Sequence, residues 1–229
     1  MKISVVTAVF NRTSTIAEAM KSVQAQCYGD VEHVIQDGGS TDGTLEEISR
    51  LANDTASLVS EKDSGIYDAI NRGIGRASGD VIGLMHSDDF FASEDVLTKV
   101  VRGFSDPAVD GVYGDLQYVS ASEPDKVVRH WRSGEYRPSM LQFGWMPPHP
   151  TLYLRREVFE RHGLYDTSFR IAADYDAMLR YLAKGKIRLA YIPEVLVKMR
   201  LGGESNRSLG RILQKSREDL KALRNNGVG

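Results

Sequence analysis

A chain of 229 residues with 41% hydrophobic content is long enough for one α/β domain, or two tightly packed halves, that needs neither disulfides nor structural metal. Cys27 is the sole cysteine, which excludes an internal disulfide and a thiolate zinc site and suits a reducing cytoplasm. The formal net charge of -2 offers nucleic acid no basic field, and no apolar run approaches the ~18 residues of a membrane span. Met1 to Val6 lacks the apolar stretch and cleavage site of a signal peptide, so the expectation is a cytoplasmic protein, held at most against the inner face of a membrane.

In chain order, short apolar runs alternate with amphipathic patterns. Strands are predicted over 3–10, 31–36, 57–60, 81–86 and 109–114. Helices over 15–26 and 44–51 open on Thr15-x-x-Glu18 and Thr44-x-x-Glu47, each spaced as a capping box. A third helix over 66–77 gathers Tyr67, Ile70, Ile74 and Ala77 on one face. This rhythm predicts right-handed crossovers and a mostly parallel sheet flanked by helices, with sites beyond the carboxyl ends of the strands. The second half is less regular. Residues 114–132 alternate as a hairpin or meander, and Pro147-Pro148-His149-Pro150 predicts a stiff, non-helical connection. Helical patterns resume over 156–162, 174–184 and 208–225. No internal repeat interrupts the chain.

The strand ends carry the chemistry. Thr7 to Asn11 closes the first strand; taken alone it reads as a core strand turning at a polar Asn. The second delivers Asp37-Gly38-Gly39-Ser40-Thr41-Asp42-Gly43-Thr44, where glycines allow close backbone approach and an aspartate can accept from a base edge. The same segment reads equally as a capped strand-to-helix turn. It is neither a phosphate loop nor a nucleophile elbow, since the lysine and glycine positions of those motifs are missing. The fourth strand ends in His86-Ser87-Asp88-Asp89; adjacent carboxylates repel, and a hard divalent cation against a diphosphate relieves that repulsion. Its plain alternative is a solvated acidic turn ahead of a helix near Asp95. Asp174, opening a helix whose buried side is Met178, Leu179 and Leu182, reads by itself as a cap. His149 is a candidate substrate contact, with a packed or solvated loop histidine as the plainer reading.

Taken together and in order, these stretches resemble the family 2 glycosyltransferases, inverting enzymes of the GT-A fold. The resemblance runs from Lys2 to Gly203, through Ser4 to Asn11, Asp37 to Thr44, Gly65 to Gly73, Gly79-Asp80 and Ser87-Asp88-Asp89. It implies a GT-A, Rossmann-like α/β sheet with a nucleotide-sugar-binding half (1–115), a mixed acceptor-side half (116–206) and a basic C-terminal helix (207–229). It also implies roles. Asp37 meets the nucleotide base beside the backbone of Ala8 and Phe10, Asp88 meets the donor ribose, Asp89 ligates Mn²⁺ or Mg²⁺, and Asp174 is the general base. Asp68, with Arg72 four residues on, braces or contacts the nucleotide site, as in relatives from bacterial polysaccharide assembly. The chain departs from the family at Gly38, which replaces a common aspartate, at His86, where many relatives begin a DXD motif, and at Ala173, which replaces a frequent glutamate.

The implied partners are a nucleotide-sugar donor and a saccharide or lipid-linked saccharide acceptor. Lys198 and Arg200 precede Gly202-Gly203, a candidate closing loop in which Arg200 would reach the diphosphate; a solvated edge strand is the alternative. A nucleotidyltransferase would open with a glycine-rich loop, yet Ala8 to Thr13 has no glycine. An inactive scaffold would be expected to lose Asp89 or Asp174, and both are present. The tail alternates Arg207, Arg211, Lys215, Arg217, Lys221 and Arg224 with Leu209, Ile212, Leu213, Leu220 and Leu223. Such a helix suits an anionic lipid surface, packing on its own domain, or a homodimer contact.

Overall fold

The computed structural model describes residues 1–201 and 209–228. Its centre is β1 (Ile3–Val9), buried at all seven positions. It pairs in parallel with β2 (Val31–Asp37) on one side and β4 (Val81–Leu84) on the other, and β3 (Ala56–Ser60) extends the sheet beyond β2. Burial on both faces explains why β1 reads as a continuous apolar run rather than an alternating one. The intervening crossovers are α1 (Ile16–Gln24), α2 (Thr44–Leu51) and α3 (Ile66–Arg76). Ala69, Ile70, Gly73 and Ile74 form the buried face of α3. Gly73 lets that helix lie against β1, for a Cβ there would stand 2.5 Å from Val6 Cγ1.

The two capping boxes do not form, as neither α1 nor α2 has a side-chain cap. Gly43 precedes α2, and the Thr44 hydroxyl donates to Asp42 while accepting from Arg12 N. Glu18 turns instead to Arg200, and the Thr15 hydroxyl is buried without a partner. Glu18 and Thr44 are thus taken by tertiary contacts, and Glu47 pairs within α2 with Arg50.

Beyond β4 come the two-residue β5 (Phe90–Phe91), α4 (Val96–Gly103), and the hairpin of β6 (Gly111–Val119) and β7 (Val127–Trp131). His149–Thr151 forms a single 3₁₀ turn, where the prolines predict a non-helical connection; proline at the first turn fits such a start. Then follow β8 (Tyr153–Arg155), α5 (Arg156–His162), α6 (Ala173–Leu179), which continues as a π-helical turn over Arg180–Lys184, β9 (Leu189–Arg200) and α7 (Leu209–Asn226). The sheet runs β3-β2-β1-β4-β8-β6-β9-β5, with β7 on β6. Its first four strands are parallel, while β8 joins antiparallel to both β4 and β6, so the second half is mixed. β9 is not an edge strand, because it lies between β6 and β5.

α7 packs on the protein's own body. Ala222 and Asn226 are buried, Asn226 Nδ2 donates to Asp176, and Glu218 accepts from Ile171 N and Ala172 N. Among the described side chains of this helix, the exposed leucines are Leu213 and Leu220, on the side away from Ala222. Arg207 and the Gly202-Gly203 segment lie outside the described residues. No helix among the described residues is long and apolar enough to cross a membrane.

Candidate active site

The carboxyl ends of β1, β2 and β4 converge, as the parallel topology requires. After β1 the chain leaves Phe10 half exposed and turns at Asn11, a non-glycine residue with φ of 51°. Asn11 locks onto the β2 loop: its Oδ1 accepts from Thr41 N, and its own N donates to Ser40 Oγ. Ala8 is nearly buried behind it.

Asp37 is fully buried. Its Oδ2 accepts from Gly39 N, Ser40 N and Ser60 Oγ, and Oδ1 accepts from Ser40 Oγ at 2.5 Å. In this state the carboxylate is satisfied from within and shapes the loop that surrounds it. The Asp63 side chain occupies the space beside Gly38, in front of Phe10.

At the end of β4, Asp88 is partly exposed whereas Asp89 is turned inward at 2% exposure. Desolvation first, and then the charge of Asp88, raise the Asp89 carboxyl well above the usual carboxylate range, while Arg200 opposes the shift. Arg200 is the organiser of this turn. Its N donates to Asp89 Oδ1, its guanidinium donates to the Asp88 carbonyl at 2.7 Å and pairs with Glu18, and it lies over the Phe90 ring. With 8% exposure, Arg200 braces the acidic turn from behind.

Asp174 sits in the first turn of α6 and is partly exposed. Oδ1 accepts from Tyr175 N at 2.8 Å and lies 3.2 Å from the Tyr67 hydroxyl, which also donates to the Ile171 carbonyl. A continuous run of rings links it to the β4 turn. Tyr67 stacks on Tyr165, Tyr165 OH meets His149 Nε2 at 2.8 Å, and His149 packs 5.9 Å from His86. Burial lowers both imidazoles, His149 to about 4, so at neutral pH they are uncharged. The charges of Asp88 and Asp174 oppose the shift of His86, and the ring run joins the two acidic elements into one wall. His149, 8% exposed, belongs to the packing beneath that wall.

Asp68 and Arg72 pair at 3.0 Å on α3. Arg72 also pairs with Glu61 and donates to the Lys62 carbonyl, while Asp68 accepts from Ser64 N. The pair therefore fixes the loop of residues 61–65. As site residues Tyr67, Tyr165, Asp63 and Glu18 escape the sequence reading, which gives Tyr67 only a place on the apolar face of α3 and Glu18 only a capping role.

Among the described residues, no three histidine, cysteine or acidic side chains gather into a metal cage. What the acidic turn offers is a carboxylate raised first by burial and then by the charge of Asp88, an arrangement a cation relieves. A divalent ion held by one or two carboxylates and completed by substrate phosphates fits this turn.

This architecture, a parallel nucleotide-type half joined through β8 to a mixed half, with acidic residues at the switch, is that of the GT-A glycosyltransferases. The protein aligns with Staphylococcus aureus TarS in complex with UDP-GlcNAc at TM-score 0.77 and 15% identity, over 100% of this chain and 66% of that one. It aligns with the Pyrobaculum calidifontis mannosyltransferase PcManGT, in complex with GDP-Man and Mn²⁺, at TM-score 0.71 and 19% identity, over 98% and 63%. The chain thus spans just under two thirds of the length of those structures. Residues 4–170 match the profile of glycosyl transferase family 2, and the chain belongs to that family. An uncharacterized glycosyltransferase of Mycobacterium tuberculosis is 34% identical over 183 residues, 78% of this chain and 68% of the relative. A PGL/p-HBAD biosynthesis glycosyltransferase of Mycobacterium bovis is 30% identical over 213 residues, 89% and 78% respectively.

Proposed function

We propose that this protein transfers a sugar from a nucleotide-diphosphate sugar to an acceptor hydroxyl, with inversion, and that Asp174 is its general base. The observation that carries this reading is the run of Tyr67, Tyr165 and His149 that joins Asp174 to His86 at the end of β4. Asp174 takes the proton of the acceptor hydroxyl as that oxygen bonds to the anomeric carbon and the bond to the diphosphate breaks. One in-line displacement inverts the centre. Tyr67 fixes the rotamer of the base, and the uncharged His149–His86 pair keeps a competing cation away from it. Phe10, Ala8, Gly38 and the loop shaped by Asp37 receive the nucleoside, and Asp68 with Arg72 steadies the far side of that pocket.

Asp89 would hold Mn²⁺ or Mg²⁺, which when bound stabilises charge on the departing diphosphate, and Asp88 would meet the donor ribose. The relative solved with GDP-Man and Mn²⁺ supports that assignment. In this reading the acceptor is a saccharide or lipid-linked saccharide of bacterial surface polysaccharide or glycolipid synthesis, in keeping with a relative that serves PGL/p-HBAD biosynthesis. The exposed stripe Leu213, Arg217, Leu220 and Arg224 on α7 suits contact with an anionic membrane face on the cytoplasmic side.

Thermal shift against a panel of nucleotide sugars, with Mn²⁺ and with chelator, tests the donor reading. A bound donor at 100 times its Kd stabilises by about 2.7 kcal/mol. We expect that shift for at least one donor, and its loss in chelator. No shift with any donor would overturn the reading, and an undiminished shift in chelator would remove the cation from it.

A further inference from the structure

We propose that the groove between the Pro138–Phe143 turn and the carboxyl-terminal end of α7 takes an acyl chain from an anionic bilayer, so that the protein docks by insertion as well as by charge. This rests on the α7 membrane contact proposed above and is independent of the sugar transfer.

The groove measures about 910 Å³, within the ~300–1,000 Å³ of sites that hold small ligands. Leu141, Leu182 and Ile187 line it, each at most 6% exposed. Phe143 lines it too, yet is 88% exposed, more than any other large apolar side chain among the described residues. Leu182 belongs to the π-helical turn after α6, a widening of the helix that is frequent at functional sites. One polar atom interrupts the apolar lining. Tyr136 places its ring on the groove, and its hydroxyl is buried with no hydrogen-bond partner. The ester carbonyl of an inserted lipid would accept from that hydroxyl, which ends the cost of a buried, unmet donor.

The groove continues a stripe on α7. Gly227, the residue after α7, lines it, and Leu220 and Leu213 precede Gly227 at intervals of seven, about two helical turns each. All three therefore share one side of the helix. Leu213 is 63% and Leu220 54% exposed. Arg217 and Arg224, both exposed, follow the two leucines by four residues and share that side. The acids of α7 are engaged elsewhere: Glu218 accepts from Ile171 N and Ala172 N, and Asp219 pairs with Lys215. Lys186 stands exposed on the groove. Open apolar side chains and cations on one surface complement an anionic bilayer. A second copy is the poorer occupant, because a two-fold interface would place these cations on both sides of one contact.

The test sediments the full chain with vesicles of equimolar phosphatidylglycerol and phosphatidylcholine, and with vesicles of phosphatidylcholine alone. Binding should require the anionic lipid. Phe143→Ala should weaken it about tenfold or more, as expected for one phenylalanine buried in hydrocarbon, and Lys186→Gln about fivefold. Both side chains are exposed, so both variants should melt with the wild type. Insertion is read from Trp145, which stacks on Tyr136 with ring centroids 5.0 Å apart. In a Trp131→Phe background, phosphatidylglycerol brominated on its acyl chains should quench Trp145 fluorescence. Leu220→Gln separates the two contacts. Release of that variant, with full binding by Phe143→Ala and no quenching of Trp145, would overturn the groove and leave the α7 contact standing. Equal binding to neutral vesicles, or no binding to either composition, would overturn both. A dimer in solution that Phe143→Ala abolishes would give the groove to a second copy and overturn the lipid.

Discussion

Asp174 and Asp176 lie two positions apart on α6 yet meet different surroundings. Asp174 is partly exposed beside Tyr67, whereas Asp176 is 5% exposed, accepts from Asn226 Nδ2 and sits 3.7 Å from Arg180. Asp174→Asn removes the proton acceptor but leaves a side chain of the same shape, so turnover should drop about 10²- to 10⁴-fold. Donor Kd and melting temperature should hold. Asp176→Ala should do the reverse: stranding the Asn226 donor costs about 1–3 kcal/mol, read in urea denaturation, with turnover of the folded enzyme retained. The sequence shows two acids in one helix turn; only the packing of α7 against α6 separates their roles. Asp89 and Arg200 are similar cases. Arg200 N donates to the Asp89 side chain across more than a hundred residues of chain, a pairing no local pattern records.

Elements were legible where one face or both faces of the sheet are apolar, and less so where tertiary contacts decide. β1 follows from its continuous apolar run and α3 from its apolar periodicity. β5 and β8, at two and three residues, are too short to show a period, and β9 hides behind its mixed burial. Two element contacts give tests. α3 rests on β1 through Gly73, so Gly73→Ala should overpack against Val6 and cost about 1–3 kcal/mol. At the opposite end of the sheet, Glu32 staples β2 to the turn before β4, accepting from Lys2, Ser4, Ser78 and Gly79. Although partial burial opposes it, these donors lower its carboxyl from 4.5 to about 2. A depressed carboxyl stabilises the fold fully above pH 4.5, and the contribution disappears as pH falls through 2. Glu32→Gln should therefore be less stable than wild type at pH 6, with the gap closing progressively below pH 4.5 in denaturant melts.

Across the whole molecule, acid acts through its buried imidazoles as well. His33, on β2 with its Nε2 at Thr7 Oγ1 of β1, is lowered from 6.5 to about 4 by burial. The unfolded chain then binds a proton that the folded one refuses, so this stability is complete above pH 6.5 and declines toward pH 4. The His33 shift amounts to about 3 kcal/mol at most. His33→Gln should flatten the stability profile between those pH values. The same burial that titrates His33 makes the core a rigid platform, and three rings carry that rigidity from the β4 turn to Asp174. The family motifs made the strand-end residues legible, but the ring network joins residues 67, 86, 149, 165 and 174, which only the closed mixed sheet brings together. The central claim is that this wall transfers a sugar with Asp174 as base. It is tested most directly by release of nucleoside diphosphate from a nucleotide-sugar panel with Mn²⁺ and saccharide or lipid-linked acceptors, comparing wild type with Asp174→Asn. The account predicts release by the wild-type protein from at least one donor, and a fall of about 10²- to 10⁴-fold in the variant at unchanged donor Kd. Full turnover by Asp174→Asn, or no release from any donor by the wild type, would contradict it.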